Sequence, residues 1–327
     1  MVPPSGASHN SPWDAFGLRN KFGTHRRKET TKAKKKRLQS TGGLPRRKKK
    51  KKKQVIQELF QSHFTADGGI IYNDAESFAD VLVPKPPQTF RCASHNISLL
   101  PESARHQKSR RLINHIREAQ LDILLMQEVG LYWNKLDPSD QWVERVRSLP
   151  DSTAVFAHNT LEPQMSSSIQ YGGVGIVATS EVRHRMVERG RDPSGLGRWA
   201  WMRMLGKEGH YVRFVSAYRP CASGGSGSVS QQHSRAFTDK RLPRTAILED
   251  LVVAMTAWKA LGDHLILGMD ANEDVRRGEV HQLLEPVGLR EVILDLHKDL
   301  SPPATQHRNQ KREPIDGLWA TSGITIT

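Results

Sequence analysis

The sequence has few cysteines and no long apolar run, and both absences exclude classes of protein. Only two cysteines, Cys92 and Cys221, occur in 327 residues, which excludes a disulfide-stapled secreted scaffold and a cysteine-based structural zinc site. No apolar stretch approaches the roughly 20 residues that span a bilayer. The N-terminal residues contain no apolar segment of the kind found in secretory signal peptides. We therefore expect no membrane partner.

Acidic residues are scarce in one part of the chain only. Residues 1–54 contain 18 of the 49 basic residues and two of the 34 acidic ones, which leaves 31 basic and 32 acidic residues elsewhere. The formal charge of +15 therefore arises in the N-terminal segment. Such a segment repels itself and has little apolar surface to bury, so we predict a disordered polybasic arm over residues 1–54. Its longest basic run is Arg46, Arg47, Lys48, Lys49, Lys50, Lys51, Lys52 and Lys53.

The basic arm favours a polyanionic partner. Clustered lysines and arginines bind nucleic acid of any sequence by releasing counterions, so DNA is the expected partner. Runs of this kind also act as nuclear-import signals, which predicts a nuclear location. Two other interpretations stay open, namely a solvated tail without a dedicated partner and a lysine run created by a wrongly assigned gene start.

The remaining chain divides into a linker and one domain. Residues 55–87 form the predicted linker, with a short helix over 55–64 and then Pro84, Pro86 and Pro87, which interrupt regular structure. Residues 88–327 form the predicted domain, in which residues 221–234 are rich in glycine and serine and are expected to be a long loop. Apolar periodicity predicts helices over 104–119, 242–261 and 278–287. Strands are predicted over 89–97, 122–129, 153–157, 173–179, 199–204, 211–218, 264–269 and 315–320. Strands that outnumber helices in this way favour stacked sheets covered by helices.

Polar side chains stand where several of these strands end. Asn96, Glu128, Asp270 and Asn272 each fall at or just after the end of an apolar strand, where a sheet presents side chains to a cleft. Carboxylate and amide oxygens are hard ligands that suit Mg²⁺ or Mn²⁺. The sequence therefore predicts a divalent-metal site at this edge of the sheets.

Six short motifs together carry a resemblance to a known family. Singly each is weak, but their order and spacing over residues 88–327 resemble the endonuclease/exonuclease/phosphatase superfamily. The motifs are Ser94-His95-Asn96-Ile97, Leu124-Leu125-Met126-Gln127-Glu128, Tyr171-Gly172-Gly173-Val174-Gly175-Ile176, Ala217-Tyr218-Arg219-Pro220, Leu267-Gly268-Met269-Asp270-Ala271-Asn272 and Pro314-Ile315-Asp316-Gly317-Leu318-Trp319. The fourth and sixth look most like the endonuclease domains of non-LTR retrotransposons.

The resemblance implies a fold, a reaction and a set of roles. The fold would be α+β, a four-layer α/β/β/α sandwich of two packed mixed β-sheets flanked by helices. The reaction would be attack of water on a phosphodiester with Mg²⁺ or Mn²⁺ as cofactor, and a reverse transcriptase encoded on the same element is an expected partner. The implied roles place Glu128 and Asn96 at the metal and Tyr218 on the phosphate. Asp270 would act on the attacking water, and the Asn272 amide would fix Asp270 and a phosphate oxygen. Arg219 would lie beside the substrate backbone, and Asp316 would be the partner of a catalytic histidine.

The sequence departs from the family pattern at its end. The family places an Asp-His pair one strand beyond the region of Asp316, whereas this sequence ends at Thr327. The expectation is therefore a domain without its last strand, and the sequence leaves open whether it is a fragment or a degenerate copy.

Each residue and the function itself also have alternative interpretations. Taken singly, Glu128 fits a surface carboxylate, Tyr218 a core tyrosine, Asn96 a cap, and Asp270 and Asp316 turn residues. At the level of function, the alternatives are a catalytically inactive remnant that binds nucleic acid through its arm, and a phosphatase of phosphoinositides or other small phosphoesters. Substrate specificity and oligomeric state are not determined by the sequence.

Overall fold

The computed structural model describes residues 84–147, 149, 151–161, 168–222, 227–237, 240–297, 305–308 and 311–326. The chain divides into two units between residues 76 and 77, and all described residues belong to the second. The predicted basic arm and the predicted helix over 55–64 lie outside the described residues, as does almost all of the linker. No helix in the described part is long and apolar enough to cross a membrane.

A mixed sheet of four strands forms one half of the domain. Its spatial order is β1-β2-β4-β3, with β1 parallel to β2 and the other pairs antiparallel. Helix α1 connects the two parallel strands, as expected for a β-α-β unit. The strand β2 is buried along its whole length, which explains its continuous apolar sequence. The elements are β1 Cys92–Asn96, α1 Gln107–Glu118, β2 Ile123–Gln127, α2 Trp142–Arg145, β3 Thr153–Ala157 and β4 Val174–Ala178.

A second mixed sheet of six strands forms the other half. Its order is β5-β6-β7-β8-β12-β9, and β7 and β8 are its parallel pair, connected through α4. Strands β10 and β11 form a separate antiparallel hairpin. The elements are β5 Met186–Arg191, β6 Trp199–Leu205, β7 Tyr211–Tyr218, α3 Val229–Ala236, α4 Pro243–Ala260, β8 His264–Asp270, α5 Glu279–Leu284, β9 Leu289–Glu291, α6 Val292–Leu296, β10 Gln306–Arg308, β11 Lys311–Glu313 and β12 Asp316–Thr321.

Three apolar clusters separate the layers. The first lies between α1 and the small sheet and includes Ile113 and Ile116. The second fills the space between the sheets, and the third packs the helix α4 against the large sheet through Leu251 and Trp258. The alternating residues of β7 belong to two different clusters, because Phe214 faces the small sheet and Val215 faces α4. The four-layer arrangement of two packed mixed sheets flanked by helices is therefore confirmed.

The structure differs from the sequence prediction in a few elements. Residues 221–234 are not loop throughout, since α3 begins at Val229 after an N-cap at Ser228. The strand β5 was not predicted, because its residues are mostly exposed and polar. The strands β9, β10 and β11 are each three residues long. They are too short for an alternating apolar pattern to appear in the sequence.

Candidate active site

Residues from both sheets meet at one edge of the sandwich. Strands β1 and β2 run parallel, as do β7 and β8, so their C-terminal ends lie together within each sheet. Across the large sheet, Tyr218 pairs with Asp270 in register, and Asp270 pairs with Asp316 of the antiparallel strand β12. Glu128 directly follows β2. The structure thus brings together five of the predicted site residues, namely Asn96, Glu128, Tyr218, Asp270 and Asp316.

Asp270 is the centre of this group and connects the two sheets. Its side chain belongs to the large sheet, yet its Oδ2 accepts a hydrogen bond of 2.7 Å from Nδ2 of Asn96 in the small sheet. Its Oδ1 accepts a hydrogen bond of 3.0 Å from the backbone N–H of Asn272. Burial, and next the negative charge of Asp316, raise the pKa of Asp270 to about 7, although these hydrogen bonds oppose the shift. A carboxyl group in this state is suited to accept a proton near neutral pH.

Glu128 and Tyr218 form the second pair of the site. The Tyr218 hydroxyl donates a hydrogen bond of 2.6 Å to Oε1 of Glu128. Glu128 has a left-handed backbone with φ of +50°, which turns the chain sharply away from the end of β2. Burial, and next the charge of Glu128, raise the pKa of Tyr218 far above its usual value. The hydroxyl therefore stays protonated and holds the carboxylate in one orientation.

Asn272 lies in a turn and has a fixed side-chain amide. Its backbone is also left-handed, with φ of +49°. Nδ2 donates to the backbone oxygen of Arg219 over 2.7 Å, and Oδ1 accepts from the Cys221 thiol over 3.0 Å. The contact from Asn272 to Asp270 is thus made by the backbone N–H, whereas the resemblance led us to expect the side-chain amide.

Asp316 is a partly buried carboxylate beside the centre. Its Oδ1 has no hydrogen-bond partner among the described residues. Burial raises the pKa of Asp316, a hydrogen bond with Thr305 opposes this, and the charge of Glu128 adds to the rise. Asp316 and Glu128 also both raise the pKa of Asp270, so the three carboxylates repel one another.

These residues fit a hard divalent cation. The described residues contain no group of three or more His, Cys, Asp and Glu side chains arranged to hold a metal, but Mg²⁺ is commonly held by one or two carboxylates together with waters. The donor atoms at the site are carboxylate and amide oxygens. A bound cation would give Oδ1 of Asp316 a partner and would reduce the repulsion among the carboxylates of Glu128, Asp270 and Asp316. Glu128 is the oriented carboxylate, and Asn96 lies beside the centre.

Arg219 does not lie where the sequence led us to expect. It is 1% exposed, and its guanidinium points into the protein instead of toward a substrate. Nη1 pairs with Glu273 at 2.5 Å, Nη2 pairs with Glu279, and Nε donates to the backbone oxygen of Arg244 over 3.1 Å. Because these partners occupy the guanidinium, Arg219 joins the loop after β8 to the first turns of α4 and α5. The expected contact with a substrate phosphate is not supported.

Gln127 and Arg244 are site residues that the sequence reasoning missed. The Gln127 side chain is fully buried, and its Nε2 lies 3.2 Å from Oγ of Ser94, Oγ of Ser216 and the backbone oxygen of Gly268. It therefore joins the two sheets directly behind Glu128, and the only signal for it was its place in the Gln-Glu pair. Nothing in the sequence around Arg244 indicated a role. It lies in the first turn of α4 and comes close to the other site residues only in the folded structure.

Comparisons with known proteins agree on the fold. Residues 93–327 match the family described as "Endonuclease/Exonuclease/phosphatase family". An AP endonuclease from Leishmania major, LMAP, is 12% identical with a TM-score of 0.53, over 71% of this chain and 79% of that one. An AP endonuclease from Archaeoglobus fulgidus is 15% identical (TM-score 0.48, 72% and 88% covered), and a 3'-5' exonuclease from Neisseria meningitidis is 14% identical (TM-score 0.47, 71% and 87% covered). No curated protein matches the sequence.

Proposed function

The chain belongs to the endonuclease/exonuclease/phosphatase family, and on this basis we propose that it is a divalent-metal-dependent phosphodiesterase that cleaves DNA, an endonuclease of retroelement origin. The family consists of hydrolytic nucleases and phosphatases, so the hydrolase class follows from membership. The observation that carries the finer proposal is the environment of Asp270, a buried carboxylate held between Asn96 and Asn272 and beside Glu128 and Tyr218.

Each side chain has a stated task in this reaction. Asp270 would orient the attacking water and accept its proton, because both of its oxygens are already fixed by N–H donors. Asn96 and the backbone of Asn272 supply those donors and keep the carboxylate from rotating. Tyr218 fixes Glu128 through its hydroxyl and presents its phenol to the same cleft. These interactions preorganise the site before substrate arrives.

Glu128, with the oxygen of Asn96, would hold the metal. A bound Mg²⁺ or Mn²⁺ would stabilise the negative charge that develops on the phosphate and the leaving oxygen. Asp316, which pairs with Asp270 across the large sheet, would supply a further oxygen donor through its unpartnered Oδ1.

The choice of DNA rests on the sequence as well as the site. The basic run of residues 46–53 would hold a polyanion near the domain by non-specific attraction, and we propose that it also directs the protein to the nucleus. The retroelement origin rests on the motifs around Tyr218 and Asp316, and on this proposal a reverse transcriptase from the same element is a partner.

The proposal is tested with the full chain on supercoiled plasmid DNA. We expect nicking with Mg²⁺ that is abolished by chelation and reduced at least about 100-fold in Asp270→Asn, because the base is removed while the volume is kept. The matched control is Glu188→Gln, which removes an exposed carboxylate on the edge strand β5. As a second readout, Mn²⁺ should raise the thermal unfolding temperature of the wild type but not of Glu128→Gln.

Other outcomes would select the alternatives. Retention of DNA without any nicking, unchanged in Asp270→Asn, would favour an inactive binding remnant. Release of phosphate from small phosphomonoesters with no cleavage of DNA would favour a phosphatase.

A further inference from the structure

We propose that Lys108 and Arg244 bind the backbone phosphates on the two sides of the scissile phosphate, so that the site accepts a polynucleotide strand in preference to a small phosphoester. This inference rests on the proposed phosphodiesterase function and adds its substrate-binding residues. It assigns to Arg244 the contact that the sequence led us to expect of Arg219.

A chain of hydrogen bonds crosses the site and has a cation at each end. Its middle is Asp270, bonded to Asn96 on one side and to Asn272 on the other. On the first side, Oδ1 of Asn96 accepts a hydrogen bond of 2.9 Å from the backbone N–H of Ser98. The backbone oxygen of Ser98 in turn accepts a hydrogen bond of 2.6 Å from Nζ of Lys108. The ammonium keeps further N–H groups for a ligand, since a lysine has three donors.

The other end of this chain is Arg244. Its Nη2 donates to the backbone oxygen of Asn272 over 3.3 Å, and its Nη1 donates to the oxygen of Pro220 over 2.6 Å. These bonds use two of its five N–H donors and leave the guanidinium at the rim between two site loops, with the side chain 18% exposed. The nearest carboxylate, Glu273, lies 3.6 Å away and is already held by Arg219 at 2.5 Å.

The position of Arg244 on α4 adds to the positive potential. It lies in the first turn of an 18-residue helix whose N-cap, Leu242, makes no side-chain capping bond. A helix N-terminus carries a partial positive charge, so the dipole and the guanidinium act in the same direction on an anion.

The negative charge at the centre of the site explains why a polynucleotide needs two flanking cations in order to bind. The centre carries the carboxylates of Glu128, Asp270 and Asp316, which repel a phosphate-rich strand. A small phosphoester brings one phosphate, which would meet only the central metal and amides. A polynucleotide also brings the neighbouring phosphates, and Lys108 and Arg244 lie beyond the two amides where such phosphates would pass.

The test compares a polymer with a small diester in the full chain. We expect Lys108→Met and Arg244→Met each to raise the KM for a DNA duplex about tenfold, as for loss of one charge-assisted contact. Each variant should also lower the slope of log KM against log salt by about 0.9, the value for one phosphate contact. Hydrolysis of bis(p-nitrophenyl) phosphate, which has no flanking phosphate, should fall in each variant by a smaller factor than cleavage of the duplex.

Controls separate phosphate binding from support of the loops. Lys207→Met removes a cation with 87% side-chain exposure in the β6–β7 connection, at the opposite end of β7 from the site, and should change neither substrate. Arg244→Lys keeps the charge but not both carbonyl contacts, so it should retain the wild-type salt slope. Equal loss on duplex and diester, or an unchanged salt slope in Arg244→Met and Lys108→Met, would overturn the inference.

The same variants distinguish failure of this inference from failure of the proposed function. If the wild type hydrolyses neither substrate, the phosphodiesterase proposal fails, and the salt slope of duplex binding measured by fluorescence anisotropy still tests the two cations. If the wild type is active and the slopes are unchanged, only the assignment of Lys108 and Arg244 is wrong.

Discussion

Replacing Arg219 by methionine should destabilise the domain and weaken catalysis on every substrate. Methionine fills much of the space of the arginine side chain but leaves Glu273 and Glu279 without their buried cation. The Arg219 side chain also holds the loop after β8, because its Nη1 pairs with Glu273, which directly follows Asn272. The change should therefore loosen the loop that carries Asn272 and, with it, the N–H donor to Asp270.

The size of the effect follows from the burial of the partners. Removing one member of a buried ion pair typically costs about 3 to 5 kcal/mol. The Arg219 side chain is 2% exposed, but those of Glu273 and Glu279 are 19% and 39% exposed, so both carboxylates regain water when the arginine is removed. We therefore expect a loss of about 3 kcal/mol, which corresponds to a fall in Tm of roughly 6 to 12 °C for a domain of this size.

The measurement is thermal or urea unfolding combined with hydrolysis of DNA and of bis(p-nitrophenyl) phosphate. The matched control, Arg276→Met, removes an arginine from the same loop whose side chain is 40% exposed and pairs with Asp274, and it should cost less than about 1 kcal/mol. Activity of Arg219→Met should fall equally on both substrates with no change in salt dependence. An unchanged Tm together with a higher KM for DNA alone would refute this reasoning, since it would make Arg219 a substrate contact.

Three further changes test the site, a buried histidine and a tight turn. Tyr218→Phe removes the donor to Glu128 and should lower kcat roughly tenfold to a hundredfold with little change in Tm, since the ring stays buried. Burial and next the charge of a nearby arginine lower the pKa of His233 to about 4, so the folded state resists protonation and stability is lost as pH falls from 6.5 toward 4. In His233→Gln, urea unfolding should show a shallower decline by up to about 1.4 kcal/mol per pH unit, and an unchanged decline would contradict this. Gly197→Ala places a Cβ 2.4 Å from backbone at φ of +71° and should abolish stable folding, whereas Gly262→Ala, at φ of +83° with nothing within 4 Å, should cost only about 1 kcal/mol; similar Tm values for the two variants would be inconsistent with that clash.

The local pattern of the sequence determined most of the regular structure. The predicted bounds of β3 and β7 coincide with those observed, and the long helix α4 was placed within a residue at each end. Runs of this length carry enough alternating or helical apolar positions to specify which face is buried. The strand-end positions of Asn96, Glu128 and Asp270 were also readable, because a polar residue at the end of a buried strand interrupts an otherwise apolar run.

Which way each polar side chain points was decided by tertiary structure alone. Arg219 follows Tyr218 directly, yet its guanidinium is directed inward. It pairs there with Glu273, in the loop after β8, and with Glu279, at the start of α5, both more than 50 residues later in the chain. Arg244 reaches the site only because α4 packs against the large sheet, and Gln127 joins the sheets only because Ser216 and Gly268 face it across the core. Periodicity reports the burial of a position within its own element, whereas the direction of a long polar side chain depends on partners that the chain brings together only when the sheets pack.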